Sequence, residues 1–394
     1  MIEIEKVSED QALMKEFVKS LSKQYDEEYF LTKTKSKEFP NEVWNDLAKN
    51  GYLGMIVPEK YGGGEFKVDD LRVFLREMAK YKLISLQFVS QIIVSNILSK
   101  WSNEEQRKKY LPQLISGTRF SFAITEPNEG ADISDIKTTA VEEEGYYRLN
   151  GHKIFITGAK ESKYMLVATR VIPKDVKGDN KRMNINLFLV DSDCDGINMM
   201  LQDVGVTTAG DMLITGDRQY DVRFNDVIVP SENMVCRDGT KNTYLLDISN
   251  LLNIIMAAIA IGWGENVLTK GVEYAKQRVL YEEPIGAYQG IQHPMVRART
   301  SLELANLMAQ RAARAYDAEE DLELVEIYVN AAKFSASEAA NEACNIAMQS
   351  HGGYCVDRGY GLITLLPLIR LTRHIPISNE IILDRFGKYL LGST

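Results

Sequence analysis

The sequence predicts an α+β protein whose domains follow the order helices, β-sheet, helical bundle. Two changes in the spacing of apolar residues carry this prediction. The repeat falls from about 3.6 residues to about 2 after Gly117, and a long apolar helical pattern begins at Leu245. We expect an N-terminal helical domain (residues 1–119), a middle antiparallel β domain of sandwich or barrel form (120–232) and a C-terminal four-helix bundle (233–394).

The composition narrows the class of protein. The chain has 394 residues, of which 45% are hydrophobic and 26% charged, as in globular proteins with a large core. A net charge of −9 argues against a nucleic-acid-binding surface. Four cysteines and four histidines lack paired or metal-binding spacing, so we expect neither a structural disulfide nor a bound metal.

Two further features predict the cellular location of the protein. No uninterrupted apolar run approaches the roughly 20 residues of a membrane span. The acidic start, Met1 to Glu5, does not have the pattern of a signal peptide. We therefore expect a cytoplasmic protein that does not contact membranes.

Helical spacing dominates the first 119 residues. We predict helices within 10–49, at 68–79 and at 85–100, and a helix from Asn103 to about Leu114 that opens with a capping box at Ser102–Glu105 and ends before Gly117. The glycine-rich stretch 51–64 predicts a loop with several positive-φ residues.

Short strands fill the middle of the chain. We predict strands at 120–125, 137–141, 146–149, 153–157, 164–170, 185–190 and 219–224, with turns at Gly145, at Asn150–Gly151, within 173–180 and at Gly216–Asp217. No Gly-x-Gly-x-x-Gly motif follows a strand, which disfavours a dinucleotide site of the Rossmann type.

Helical patterns return beyond Pro230. The segment 245–260 is apolar on every side, which predicts a buried helix. Further patterns cover 264–278, 292–317, 321–350 and about 380–391. Long helices joined by short turns predict a four-helix bundle.

The best candidate for a ligand-facing loop runs from Phe120 to Asp135. Phe120, Phe122 and Ile124 alternate as in a half-buried strand, and the turn after Pro127 exposes backbone amides. A plain hairpin would give the same pattern, so the residues alone leave both interpretations open. The segment Ala-Ile-Thr-Glu-Pro-x-x-Gly-x-Asp, residues 123–132, resembles the first signature of the acyl-CoA dehydrogenase family.

Further segments resemble that family in the same order along the chain: 51–64, 151–157, 222–230, 278–289 and 349–353. The resemblance implies FAD as cofactor and a homodimer or homotetramer whose subunits share the FAD sites. It also implies an acyl-CoA or acyl-carrier-protein thioester as substrate and an electron acceptor such as an electron-transfer flavoprotein. The implied cofactor-binding residues are Phe122, Ile124, Thr125, Gly130, Ala131, Phe155, Thr157, Arg278, Tyr281, Gln289, Gln349, Gly352, Gly353, Ser378 and Glu380.

The residue that this sequence lacks is the family's catalytic base. In the family a Glu removes the α-proton of the acyl thioester as a hydride leaves the β-carbon. Ser378 to Ile381 match the family's Thr-x-x-Ile, which places Pro376 where that Glu is expected, and Leu252 falls at the position used by a minority of members. Neither side chain accepts a proton. The candidates left open are Glu380, Asp247 and His374, with Asp384 a weaker choice.

Three more positions depart from the family pattern. Phe155 stands where Trp is usual, Ala131 where Ser is usual, and Asn253 where an Arg often lies near the thioester arm of CoA. We expect an FAD-dependent oxidoreductase that acts on the CH–CH group of an acyl thioester with a displaced base. The open alternatives are other chemistry on the same fold, such as oxidation of a carrier-protein-bound acyl group or flavin monooxygenation, and a catalytically silent binding protein.

Overall fold

The computed structural model describes residues 5–36, 38–127, 136–174, 185–202, 217–235 and 243–392, and the chain divides into two compact units. The bundle unit comprises Met1–Thr32, Lys67–Ile84 and Ser249–Thr394, and the sheet unit comprises Lys33–Phe66 and Ser85–Ile248. The three domain limits derived from the sequence remain predictions.

Helices dominate the first part of the chain, as predicted. They are α1 (Glu9–Gln24), α2 (Glu27–Ser36), α3 (Asn41–Lys49), α4 (Val68–Lys80), α5 (Leu86–Trp101) and α6 (Glu104–Ile115). The capping box of α6 is formed by Asn103 and Gln106, so the predicted box at Ser102–Glu105 is wrong by one residue. The reason is that the Ser102 hydroxyl donates to the Leu98 carbonyl, 2.6 Å away, and closes α5 instead.

The glycine-rich stretch 51–64 is a loop with positive-φ residues, as predicted. It contains two single 3₁₀ turns, Tyr52–Gly54 and Glu59–Tyr61, and Gly51 and Gly62 have φ angles of 79° and 90°. A Cβ atom on Gly63 would lie 2.0 Å from the carbonyl oxygen of Val57. Only glycine fits at that position because the backbone itself cannot yield.

One sheet organises the sheet unit. Its strands are β1 (Phe120–Ala123), β2 (Thr139–Glu142), β3 (Tyr146–Thr157), β4 (Tyr164–Ile172), β5 (Ile185–Asp191), β6 (Ile197–Leu201), β7 (Gln219–Pro230) and β8 (Met234–Val235). The order is β6-β7-β3-β2-β4-β5-β8, and β1 pairs with β4. Buried side chains such as Leu149, Val167 and Phe188 form its core.

The sheet differs from the sequence prediction in three respects. Most neighbouring strands are antiparallel, but β1 and β2 each run parallel to β4. The predicted turn at Asn150–Gly151 is wrong, because β3 continues through it with a register shift: Asn150 pairs with Thr139 on one side and Gly151 with Phe224 on the other. Strand β6 lacked a recognisable period and was not predicted.

The C-terminal helices are longer than predicted. They are α7 (Thr243–Gln277), α8 (Gln289–Asp317), α9 (Leu322–His351), α10 (Leu362–Leu371) and α11 (Asn379–Leu391), with a short hairpin of β9 (Val279–Leu280) and β10 (Glu283–Pro284) after α7. The two patterns predicted at 245–260 and 264–278 are one helix. The helix continues through Gly262. A Cβ atom at this position would lie 2.2 Å from the Arg76 carbonyl oxygen, so the glycine permits close packing of α7 against α4.

Helix α7 is the one described helix that is long and apolar enough to bear on the expectation of no membrane span. By length and composition alone it could cross a membrane. However, 78% of its most apolar window is buried, which is the burial of an interior helix of a folded protein.

A network of buried charges links α4, α7 and α8 within the bundle unit. Arg76 of α4 donates to both carboxylate oxygens of Glu265 in α7, at 2.5 and 3.2 Å. It also donates to Glu5, ahead of α1, at 2.7 Å, and Arg299 of α8 donates to Glu265 at 3.0 Å. Glu5 accepts three more hydrogen bonds, from Arg72, Asn306 and Gln310.

The same network sets the ionisation of its carboxylates. Burial would raise the pKa of Glu5, but the charges and hydrogen bonds of Arg72 and Arg76 hold it below its usual value. Burial would likewise raise the pKa of Glu265, and Arg76 again lowers it. Both carboxylates are therefore charged and paired at neutral pH, although their side chains are 2% and 3% exposed.

We expect the substitution Arg76→Met to destabilise the protein by about 3 kcal/mol, the low end of the cost of breaking a buried ion pair. It removes one counter-charge from each of two buried carboxylates, so that Glu5 keeps only Arg72 and Glu265 keeps only Arg299 as arginine partner. Both carboxylates have lowered pKa values in the fold, so their contribution is present above the unfolded pKa and is lost as pH falls through the folded pKa. Raising those values by removing Arg76 should move acid unfolding to higher pH. Urea unfolding at pH 7 and acid unfolding measure the two effects.

The control for this variant is Lys388→Met, which removes an exposed pair with Asp384 (3.3 Å) in α11. It should cost less than about 1 kcal/mol. A loss of similar size in both variants would contradict the assigned role of Arg76.

Candidate functional site

The end of β1 forms the first part of the candidate site in the sheet unit. Phe122, Ile124 and Thr125 are half-buried, and the carbonyl of Thr125 accepts the N–H of Ile154 in β3 at 2.9 Å. This bond carries the chain leaving β1 onto the middle of β3. Gly130 and Ala131 lie outside the described residues.

The next residue, Glu126, clamps this segment, and the sequence analysis did not single it out. Its buried carboxylate accepts the backbone N–H groups of Lys137 (2.7 Å) and Thr138 (2.9 Å). It also accepts the ammonium of Lys153 at 2.8 Å, and the same ammonium donates to the carbonyl of Ile124 at 3.0 Å. A single carboxylate thus joins residues on both sides of the stretch 127–136.

Burial dominates the electrostatics of this pair. It lowers the pKa of Lys153 to about 8 despite the attraction of Glu126. For Glu126, burial would raise the pKa, but the charge and hydrogen bond of Lys153 and the two backbone N–H groups hold it below its usual value. The signal available in the sequence was the Thr-Glu-Pro segment together with a lysine in a strand pattern at 153–157.

Phe155 projects from an irregular part of β3. The pairing with β7 shifts register between Lys153 and Ile156, and Phe155 has a φ angle of 58°, which is rare for a non-glycine residue. Its N–H donates to the side chain of Gln202 at 2.6 Å. The ring is 49% exposed whereas Ile156 and Thr157 are buried, so the bulge presents an aromatic face at the surface of the sheet.

The second set of candidate residues lies in the bundle unit, around the hairpin that follows α7. Arg278 continues α7 by donating its N–H to Tyr274 at 2.8 Å, and its side chain is exposed. Tyr281 occupies the hairpin turn, with a φ angle of 48° and 91% exposure. Gln289 is exposed at the first turn of α8.

Among the described residues the Arg278 guanidinium has no carboxylate partner. An unpaired guanidinium is suited to a diphosphate, since its planar fork matches two anionic oxygens. The exposed ring of Tyr281 offers a stacking surface in the same hairpin.

The end of α9 carries the two glycines of the segment 349–353, and we call Gly352 and Gly353 the glycine corner. Gly352 ends the helix with a φ angle of 58°, and a Cβ on Gly352 or Gly353 would meet nothing within 4 Å. Gln349 is exposed, whereas His351 is buried and stacks on Tyr274 with ring centroids 4.1 Å apart. The corner therefore leaves open backbone beside an aromatic pair.

The turn of residues 373–379, between α10 and α11, contains the position at which the family's base is expected; we call it the base turn. Pro376 lies in it after a cis peptide bond. Ser378 caps α11 through the N–H of Ile381 at 3.3 Å. Glu380 is exposed, and hydrogen bonding by its own backbone N–H lowers its pKa, which weakens it as a base. His374 is also exposed.

Asp247 is already engaged by other side chains of the sheet unit. Its carboxylate accepts hydrogen bonds from Asn96 (3.0 Å), Trp101 (3.0 Å) and Lys100 (3.2 Å). All three donors lie in α5. The Asp247 carboxylate therefore ties the start of α7 to α5. Leu252, at the minority base position, is an apolar side chain that is half-buried.

Lys333 of α9 is the other functional candidate that the sequence analysis missed. Its side chain is 1% exposed, and its ammonium donates to the carbonyls of Ile377 (2.6 Å) and Arg373 (3.2 Å) and to the side chain of Asn379 (2.8 Å). A lone lysine within an apolar helix was the only signal for it.

Comparison with known proteins places this geometry in a family. Sequence models of the acyl-CoA dehydrogenase N-terminal, middle and C-terminal domains match residues 8–118, 121–227 and 250–390. The acyl-CoA dehydrogenase fadE12 of Mycobacterium bovis is 33% identical over 98% of this chain and 97% of its own length. The caffeyl-CoA reductase-Etf complex subunit CarC of Acetobacterium woodii is 31% identical over 81% of each chain.

A solved structure agrees with these sequence matches. Butyryl-CoA dehydrogenase from Megasphaera elsdenii superposes with a TM-score of 0.87 over 99% of this chain and 100% of its own, at 25% identity. The resemblance drawn from short motifs, and the order of helical, β and helical domains, are confirmed. The chain belongs to the acyl-CoA dehydrogenase family.

Proposed function

We propose that this protein is an FAD-dependent oxidoreductase that acts on the CH–CH group of an acyl thioester and lacks a carboxylate at the family's base positions. The observation that carries the proposal is the pairing of full-length family similarity with exposed candidate contacts, above all Arg278, which has no carboxylate partner among the described residues. Its guanidinium is therefore available to bind an anionic ligand such as a diphosphate.

The residues present fit FAD. Arg278 would hold the diphosphate, Tyr281 and Gln289 would contact the dinucleotide, and the open backbone at Gly352 and Gly353 would admit the adenosine half. Phe122, Ile124, Thr125, Phe155, Thr157, Ser378 and Glu380 would contact the ring system. Bound FAD supplies the acceptor for a hydride.

The chain's own residues then bind and orient the substrate and exclude water from it. The rigid clamp of Glu126 and Lys153 fixes the segment that carries Thr125, and the bulge at Phe155 covers the sheet with an aromatic ring. Removal of the α-proton is the step with the weakest support, since Pro376 and Leu252 cannot accept a proton. Glu380 retains a carboxylate of lowered pKa, and Asp247 is held by three donors. We infer that any base acts weakly on ordinary acyl-CoA substrates.

We infer that the protein forms a homodimer or homotetramer. The bundle unit exposes apolar side chains on α8, namely Val296, Leu304 and Leu307, which a second copy would cover. The reductase relative carries Etf in its name, and we infer an electron-transfer flavoprotein as the electron partner here. A cytoplasmic location is part of the same proposal.

A second candidate function follows from the apolar residues at both base positions. A flavoenzyme that activates oxygen with reduced flavin would not need to remove an α-proton, and oxidation of a carrier-protein-bound acyl group is the other alternative on this fold. A silent binding protein would also tolerate proline there. The experiments below separate these possibilities from the main proposal.

Anaerobic mixing of the purified yellow protein with acyl-CoAs of several chain lengths tests the main proposal. We expect slow loss of the visible flavin absorbance with at least one acyl-CoA, because hydride transfer reduces the cofactor. The absence of bleaching with every thioester would contradict it. Rapid reoxidation by O₂ with a trapped flavin intermediate would instead favour oxygen activation, and a colourless protein would favour a binding role.

Pro376→Glu tests whether the missing base limits the reaction. A general base contributes roughly 10²- to 10⁴-fold, so we expect flavin reduction by acyl-CoA to accelerate by about 100-fold or more. Stopped-flow absorbance gives the rate. Pro376→Gln is the matched control, since it also removes the proline but adds no proton acceptor. Equal rates in the wild type and Pro376→Glu would mean that another group already serves as an effective base.

Arg278→Met tests the assigned FAD contact. Loss of a charge-assisted hydrogen bond to the diphosphate should weaken FAD binding by about 10- to 100-fold, as measured by fluorescence titration of the apoprotein. The control is Lys276→Met, which removes an exposed cation from the last turn of α7. Equal losses in both variants would indicate only a general effect of charge.

A further inference from the structure

The buried ammonium of Lys333 donates three hydrogen bonds to the base turn. Its three acceptors, the carbonyls of Arg373 and Ile377 and the side-chain oxygen of Asn379, match the three N–H groups of an ammonium. Two of these acceptors are backbone atoms on either side of Pro376. A cation on α9 thus holds the segment where the family places its base.

Other bonds close the turn upon the same helix. The N–H of Asn379 donates to the Arg373 carbonyl at 2.9 Å, which joins the two ends of the turn. The Asn379 amide donates to Ser337 (2.9 Å) and Glu338 (2.7 Å) of α9. Both ends of the base turn are therefore attached to α9, Arg373 through Lys333 and Asn379 through Lys333, Ser337 and Glu338.

A purely structural role would be satisfied by a neutral donor. Taking an ammonium out of water is costly even when it is well paired, whereas an amide side chain could satisfy one or two carbonyls at lower cost. Charge-assisted bonds are shorter and stronger than neutral ones, and here two of them go to the backbone carbonyls on either side of residues 374–376. The geometry is that of a group which fixes the position of a turn, in addition to filling the core.

We propose that Lys333 is a positioning residue: it fixes the base turn, and through it sets where Pro376 and Ser378 lie towards bound FAD and substrate. This inference rests on the proposed function, in which the base turn faces the cofactor. It assigns a role in the site to a residue that touches neither cofactor nor substrate.

The charged neighbours of Lys333 predict how this role depends on pH. Burial lowers its pKa to about 8, while Glu380 of α11 and Glu338 of α9 favour the charged form and Arg373 of the turn opposes it. The exposed His374 is the remaining titratable group of the turn. Above pH 8 the neutral amine has two N–H groups for three acceptors, so the turn should loosen and FAD binding should weaken.

Lys333→Met tests the proposal, because methionine keeps the apolar stem and removes all three donors. We expect hydrogen exchange of the peptide covering 373–379 to increase by about 10-fold or more, and the dissociation constant of FAD to rise by about 10-fold or more. The fall in FAD affinity above pH 8 should disappear. Asn341→Leu is the matched control, since Asn341 of α9 donates to the Ile369 carbonyl of α10 at 3.1 Å and does not contact the base turn.

Hydrogen exchange and FAD affinity also give the results that would overturn the proposal. Exchange and FAD affinity within twofold of wild type in Lys333→Met, or the same changes in Asn341→Leu, would show that Lys333 does not position the turn. If Lys333→Met fails to fold, Lys333→Gln carries the same readouts, because it removes the charge and leaves one neutral amide for three acceptors. Exchange and FAD affinity within twofold of wild type in Lys333→Gln would then refute the proposal. A wild-type protein that binds no FAD would refute the proposed function, while the exchange experiment would still decide whether Lys333 fixes the turn.

Discussion

The ion pairs of Arg76 with Glu5 and Glu265 hold together parts of the bundle unit that are far apart in sequence. Glu5 precedes the first helix, Arg76 lies in α4 and Glu265 in α7, and all three side chains are less than 10% exposed. Buried charges of this kind tolerate little displacement, because an unpaired ion in the interior is far more costly than an unpaired apolar group. Helix α4 and the residues before α1 must therefore keep their place against the long helices.

Buried charged side chains also hold the backbone in place at two parts of the candidate site. In the sheet unit, Glu126 and Lys153 fix the chain that leaves β1. In the bundle unit, Lys333 fixes the base turn. Each clamp uses a buried ion to hold backbone groups of described residues that lie outside helices and strands, such as Lys137 and Ile377. Irregular segments need such support, since they cannot satisfy their own carbonyls and N–H groups.

The proposed function leaves the family's expected base positions without a carboxylate. Under that proposal Arg278 and the glycines 352 and 353 contact FAD, and Pro376 and Leu252 occupy the positions at which the resemblance to the family places a proton acceptor. The base turn that carries this proline is nevertheless anchored at both of its ends. A turn that is held this firmly supports a functioning site over a catalytically silent one.

Periodicity determined most of the secondary structure and the order of the domains, because helices and strands impose spacings of about 3.6 and 2 residues on their buried side chains. Motifs determined the family and the candidate FAD contacts, whose roles remain predictions. Tertiary structure decided what spacing does not encode. The two helical patterns at 245–260 and 264–278 are one helix, α7, in which Gly262 permits close packing. Asn150–Gly151 has the composition of a turn but lies within β3, because strands on both sides pair with it. The partners of Glu126 and Lys333 are likewise invisible in sequence, since the hydrogen bonds of a buried ion join residues that only the folded chain brings together.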